Sequence, residues 1–156
     1  MEETENNTSA YLQAKTTALR LIARAEQCTH GLVRKLEKRG YDTSCVNTVI
    51  SELSEQDLLD DRRFAQLWLE SRMRLTRSPQ RLLASLCGRG VDRKDAEAAL
   101  KTVFDEETEL SLLKRFVKKN RQKTRRGKGE DTVRSLKYLL SNEGFSPQAI
   151  RRFFDE

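Results

Sequence analysis

The sequence predicts an all-α protein: three tandem three-helix repeats, about nine helices, in an elongated, curved arrangement. Three observations predict it. Only two prolines and seven glycines interrupt 156 residues, which leaves long stretches free to be helical. No stretch alternates apolar and polar residues for long enough to be a strand. And one phrase is written three times, around Gly40, Gly90 and Gly144.

Counted from those glycines, the copies match position by position. Eight residues before sit Leu32, Leu82 and Leu136; four before sit Leu36, Leu86 and Leu140. One after sit Tyr41, Val91 and Phe145; two after sit Asp42, Asp92 and Ser146. Apolar residues recur six, nine and ten after: Val46, Val49 and Ile50, then Ala96, Ala99 and Leu100, then Ile150, Phe153 and Phe154. Such self-similarity marks an internal repeat. The paired leucines share a helix face. The glycine suits a left-handed residue just past a helix end, and the apolar residue after it closes back on the last turn. Asp or Ser then caps a new helix, whose core face is the apolar stripe that follows. Each phrase therefore reads as helix, glycine joint, helix.

A further helix precedes each pair. Residues 1–15 are acidic and polar, and are set apart as an N-terminal extension open to disorder. The first repeat, 16–57, starts with a helix whose face carries Leu19, Ile22 and Ala25. Ser54 to Asp57, "SEQD", has capping-box spacing at the join to the second repeat, 58–105. That repeat starts with the stripe Phe64, Leu67, Trp68 and Leu75, and Ser78 before Pro79 opens its middle helix. The third, 106–156, starts with Leu110, Leu113, Phe116 and Val117, followed by a basic connector over 120–130. Units this small build little core alone and are expected to stack on neighbours.

Several function classes fall away. No apolar run approaches a membrane span, and the polar N-terminus is neither a signal nor a transit peptide, so a cytoplasmic protein without membrane partners is expected. Cys28, Cys45 and Cys87 are odd in number and scattered, and read as buried, reduced thiols. Cys28 and His30 would make half a metal site, with no second pair to complete it. Asp60–Asp61 reads as a helix N-terminus rather than as paired catalytic acids. "RRGKGE" lacks the spacing of a phosphate loop. Trp68 and Phe64, four apart, read as core rather than as a base-stacking platform. No enzyme and no cofactor are expected.

Charge points elsewhere. Lys and Arg number 7 against 11 Asp and Glu over residues 1–61, 19 against 8 over 62–129, and 4 against 5 over 130–156. Two runs without an acid carry the surplus. One holds Arg72, Arg74, Arg77 and Arg81; the other holds Lys114, Arg115, Lys118, Lys119, Arg121, Lys123, Arg125, Arg126 and Lys128. Solvated faces usually mix signs, so these thirteen residues are the candidate contacts to phosphates or to an acidic protein surface.

In order and spacing, Leu32, Lys35, Leu36, Gly40, Tyr41, Asp60, Asp61, Arg63, Phe64, Ala65 and Arg72, followed by "LCGRGV", resemble the RecX family, small regulators of the RecA recombinase. The resemblance covers roughly residues 18–155. It departs at Arg77-Ser78-Pro79, where members often carry glycine, and in the longer basic connector. It implies a non-enzymatic, monomeric modulator that lies in the groove of the RecA–DNA filament. Such a modulator suppresses ATPase, strand-exchange and coprotease activities, in the setting of DNA repair, recombination and the SOS response. Two alternatives remain from the residues themselves: sequence-independent binding of single- or double-stranded DNA, and a helical scaffold for another protein. Against base reading, "DTSCVNTVISEL" has no Lys or Arg.

Overall fold

The computed structural model describes residues 2–120 and 130–156, with side chains for 7–120 and 132–156. Among the described residues there are nine helices and no strand: α1 (Glu2–Arg24), α2 (Thr29–Glu37), α3 (Thr43–Glu55), α4 (Asp61–Arg72), α5 (Pro79–Gly88), α6 (Arg93–Val103), α7 (Glu106–Lys119), α8 (Glu130–Glu143) and α9 (Pro147–Asp155). None of them is long and apolar enough to cross a membrane. The strongest helix packings join α1, α2 and α3; α4, α5 and α6; and α7, α8 and α9.

Each of the three repeated phrases folds into the same joint. Gly40, Gly90 and Gly144 take φ of 89°, 89° and 92°, where a side chain is strained. The next N–H donates back to the carbonyl five residues earlier: Tyr41 to Leu36 at 3.4 Å, Val91 to Leu86 at 3.2 Å, Phe145 to Leu140 at 3.1 Å. These bonds satisfy carbonyls that the helix end leaves free. Asp42 then accepts from the Ser44 N–H at 3.0 Å, Asp92 from Lys94 at 2.8 Å and Ser146 from Ala149 at 3.2 Å, each cap worth about 1 kcal/mol.

Three apolar clusters fill the interior. Leu32, Leu36, Val46, Val49 and Leu53 centre the first; Leu69, Leu82, Leu86, Ala96 and Ala99 the second; Leu113, Phe116, Leu140, Phe145 and Ile150 the third. Phe104 packs against both the second and the third.

The third starting helix, α7, buries Leu110, Leu113 and Phe116 as expected, while the first two differ in detail. The polar first fifteen residues are not a separate extension: α1 begins at Glu2, and Ala14 is buried against α3. Its buried face runs through Tyr11, Ala14, Ala18 and Ile22, while Leu19 is exposed. Alanines let α1 approach α3 closely, and polar side chains finish the contact. The Tyr11 hydroxyl and the Lys15 ammonium both donate to Glu52 on α3, and Thr17 shares a 3.0 Å hydrogen bond with Tyr41. Lys15 and Tyr11 together hold the Glu52 carboxyl below the usual carboxylate range. In α4 the buried residues are Ala65 and Leu69, with Phe64 and Trp68 packed partly against the same cluster; Leu67 is exposed, as is Leu75 beyond the helix end, so the stripe is rotated from the one read off the large residues.

The expected cap at Ser54 does not form. Helix α3 runs on through Ser54 and stops where Asp57 takes φ 56°. Asp60 caps α4 instead, accepting from the Arg63 N–H at 2.9 Å.

The joints also determine how the units meet. A Cβ on Gly90 would stand 2.4 Å from the ring of His30, and one on Gly144 would stand 2.6 Å from Gln80 Cβ. His30 and Gln80 hold matching places, ten residues before Gly40 and Gly90. Each later joint thus rests on the first turn of the preceding unit's middle helix. Two matching polar links accompany this. The Cys28 thiol donates to the Arg89 carbonyl at 3.6 Å, and the Ser78 hydroxyl donates to the Glu143 carbonyl. Arg81 adds a 2.9 Å ion pair to Glu143. At the first junction Asp61 accepts from the Thr29 N–H at 2.6 Å, capping α2, whose own N-cap Cys28 makes no side-chain cap bond. Gly40 has no counterpart: nothing lies within 4 Å of its Cβ position.

Candidate interaction surface

The junction of the second and third units brings the two basic runs together. The Arg115 guanidinium on α7 donates to the Met73 carbonyl at 2.9 Å, just past the end of α4. Arg74 and Arg77 are exposed on the segment beyond Met73, and Lys118 and Lys119 are exposed one turn beyond Arg115. Distant in sequence, the runs are neighbours in space.

Not every candidate is available for a partner. Arg81 is paired with Glu143, and Lys114 with Glu156, whose carboxyl it holds below the usual range. Arg115 bonds Met73. Arg72 lies over the Trp68 ring at 5.3 Å, with its Nε buried and unpartnered. Arg74, Arg77, Lys118 and Lys119 are exposed. Arg121, Lys123, Arg125, Arg126 and Lys128 lie outside the described residues.

Trp68 is more than core. Its ring packs partly against the second cluster, but a second guanidinium, Arg89, also lies over it at 5.2 Å. An indole face attracts cations by its quadrupole. The indole Nε1 is buried without a hydrogen-bond partner. Sequence reasoning passed over Arg89 because it sits in the repeated joint, one residue before Gly90. The signal that could have found it is the acid-free stretch between Ser71 and Val91, which it closes.

The chemistry of the remaining candidates is structural. Asp60 and Asp61 cap α4 and α2 respectively, which uses their carboxylates on backbone N–H groups. Burial pushes the Cys45 thiol up, away from the thiolate needed for nucleophilic work. Among the described residues no group of three His, Cys, Asp or Glu side chains gathers as a metal site.

Comparison with known proteins agrees with the repeat. Residues 14–53 match the family described as "RecX, first three-helix domain", and residues 60–100 match "RecX, second three-helix domain". A Treponema pallidum protein named Regulatory protein RecX is 40% identical over 141 residues, spanning 90% of this chain and 82% of that one. Its namesake in Halorhodospira halophila is 31% identical over 139 residues, 88% of this chain and 83% of that one. The crystal structure of RecX from Lactobacillus salivarius shares the fold, with a TM-score of 0.82 at 17% identity over 95% of this chain and 96% of that one. With both three-helix domains matched and a regulatory protein 40% identical along most of its length, this chain belongs to the RecX family.

Proposed function

We propose that this protein is a non-enzymatic regulator of RecA that lies in the groove of the RecA–DNA filament and inhibits its ATPase, strand-exchange and coprotease activities. The observation that carries the reading is the Arg115–Met73 contact at 2.9 Å, which makes the two basic runs neighbours. A partner presenting DNA phosphates and acidic side chains side by side matches such a face. The serial stacking of small units suits a long groove better than a pocket. Arg74, Arg77, Lys118 and Lys119 make the primary contacts. Arg121, Lys123, Arg125, Arg126 and Lys128 extend them. The protein acts in the cytoplasm as a monomer.

The test is a titration of RecA's DNA-dependent ATPase and strand exchange with the purified full chain. Inhibition that saturates supports the reading. Unchanged ATPase and strand exchange at saturating protein would overturn it. A second reading, direct sequence-independent DNA binding, draws on the cation-flanked Trp68. Against base reading stands α3, which follows the first joint and carries no Lys or Arg.

A further inference from the structure

Where the second unit leans on the first, a cleft of about 720 Å³ opens between α2 and the C-terminal end of α5. Its α2 wall is one stripe of that helix, with Arg34, Lys35 and Lys38 beside Gly31. Arg89 faces them from the joint of the second unit. The carboxylates present are Glu26 and Glu37, and Glu26 is held by Arg63 at 2.7 Å. Lys35 donates to Gln27 at 2.6 Å. Arg34, Lys38 and Arg89 make no ion pair with a carboxylate among the described residues. Arg34, Lys35, Lys38 and Arg89 outnumber the one carboxylate left outside an ion pair, Glu37, so the cleft is net positive and favours a bound polyanion.

Two further features narrow the ligand. Arg34 and Lys38 are one turn apart, about 6 Å along the axis, a spacing that lets them meet successive charges of an extended chain. At the rim, Arg89 lies over the Trp68 ring at 5.2 Å, and Arg72 lies over the same ring at 5.3 Å. A nucleic acid strand supplies a phosphate and a planar base at every residue, which suits cations set beside a guanidinium–indole cluster. The same Arg72 adjoins Met73, which Arg115 contacts, so a chain of side-chain contacts leads from Arg89 at the cleft to the next junction.

We propose that this cleft binds a single nucleic acid strand, with Arg34, Lys38 and Arg89 on its phosphates and the Arg72–Trp68–Arg89 stack toward its bases. The proposal deepens the reading above by naming the strand as a direct ligand of the first junction, and it is tested with RecA absent.

Trp68 is the chain's only tryptophan, so its emission reports on the site. Titrating the full chain with a thymidine homopolymer at low salt is expected to change that emission saturably. Affinity, read in parallel by anisotropy of a labelled strand, is expected to fall steeply with salt. In R34S/K38S the log–log salt slope is expected to be shallower by about 1.4, about 0.7 for each lost phosphate contact. R89Q, followed by anisotropy alone, is expected to weaken binding. Far-UV circular dichroism matching the parent establishes that each variant is folded. The proposal is overturned by an unchanged Trp68 signal, by a salt slope that R34S/K38S leaves unaltered, or by polyglutamate matching the strand. Binding here with no effect on RecA's ATPase would sink the regulator reading and leave this site standing; ATPase inhibition without binding here would do the reverse.

Discussion

Gly90 and His30 are in contact across the first junction: a Cβ on the glycine would come within 2.4 Å of the imidazole ring. The glycine therefore meets two demands. It supplies the left-handed turn that ends α5, and it lets the second unit sit on the first turn of α2. Gly144 does the same against Gln80, while Gly40 meets only the first demand.

The three Gly→Ala variants should rank accordingly. Gly40→Ala carries only left-handed strain, about 1 kcal/mol. Gly90→Ala and Gly144→Ala carry that strain and a clash, so each should lose more. Urea denaturation midpoints at constant m-value check the order. Equal losses at all three positions would mean that the joints do not set the packing of units.

Ser78 is the matching test on the polar side. It is 1% exposed, caps α5 by accepting from the Arg81 N–H, and donates to the Glu143 carbonyl. Ser78→Ala should destabilise by about 1–3 kcal/mol, since it removes a cap and leaves a carbonyl unmet. Ser78→Thr keeps the hydroxyl and should lose less. Thermal unfolding of the two variants settles the comparison.

Acid should loosen α1 from α3. Lys15 and Tyr11 depress Glu52, so its contribution is complete above its ordinary value near 4.5 and is lost as pH falls through the depressed value. The Lys15 ammonium is shifted up by Glu52, so its share persists through neutral pH and fades only above its ordinary 10.5. Glu52→Gln should therefore lower the melting temperature at pH 7, with the gap to the parent closing at pH 3 and below. A gap that stays constant across that range would exclude the linkage.

Charge reversal should separate partner contacts from local ties. Arg74→Glu, Arg77→Glu, Lys118→Glu and Lys119→Glu together should raise the concentration needed to inhibit RecA's ATPase by at least about tenfold, because like charges then face the partner. Arg81→Gln and Lys114→Gln remove only local ion pairs, to the half-buried Glu143 and to the exposed Glu156. They should leave inhibition near the parent level and change stability by at most about 1 kcal/mol. Dose–response curves of the two sets are the measurement.

The joints were legible because their causes are local. A glycine in the left-handed region, a leucine one turn before it and a cap two residues after it all act within a few residues. The first two starting helices were less so. Their buried faces are built on Ala14, Ala18 and Ala65, which pack by close approach and leave a faint mark beside Leu19 and Leu67, both exposed. Asp57 ends α3 with a left-handed turn that glycine counting could not find. The basic runs were visible as composition, but their meeting through Arg115 and Met73 is a tertiary fact. Arg34 and Lys38 were hidden for another reason: they lie in the net-acidic first third of the chain. Only the fold turns them toward Arg89.

The side chains beneath Gly90 and Gly144 act as shims. Each is a single residue, His30 or Gln80, set between a helix start and the joint above it. A thinner shim would let one unit settle closer to the last, and a thicker one would tilt it away. Two positions therefore tune the rise and turn from unit to unit, from outside the apolar clusters.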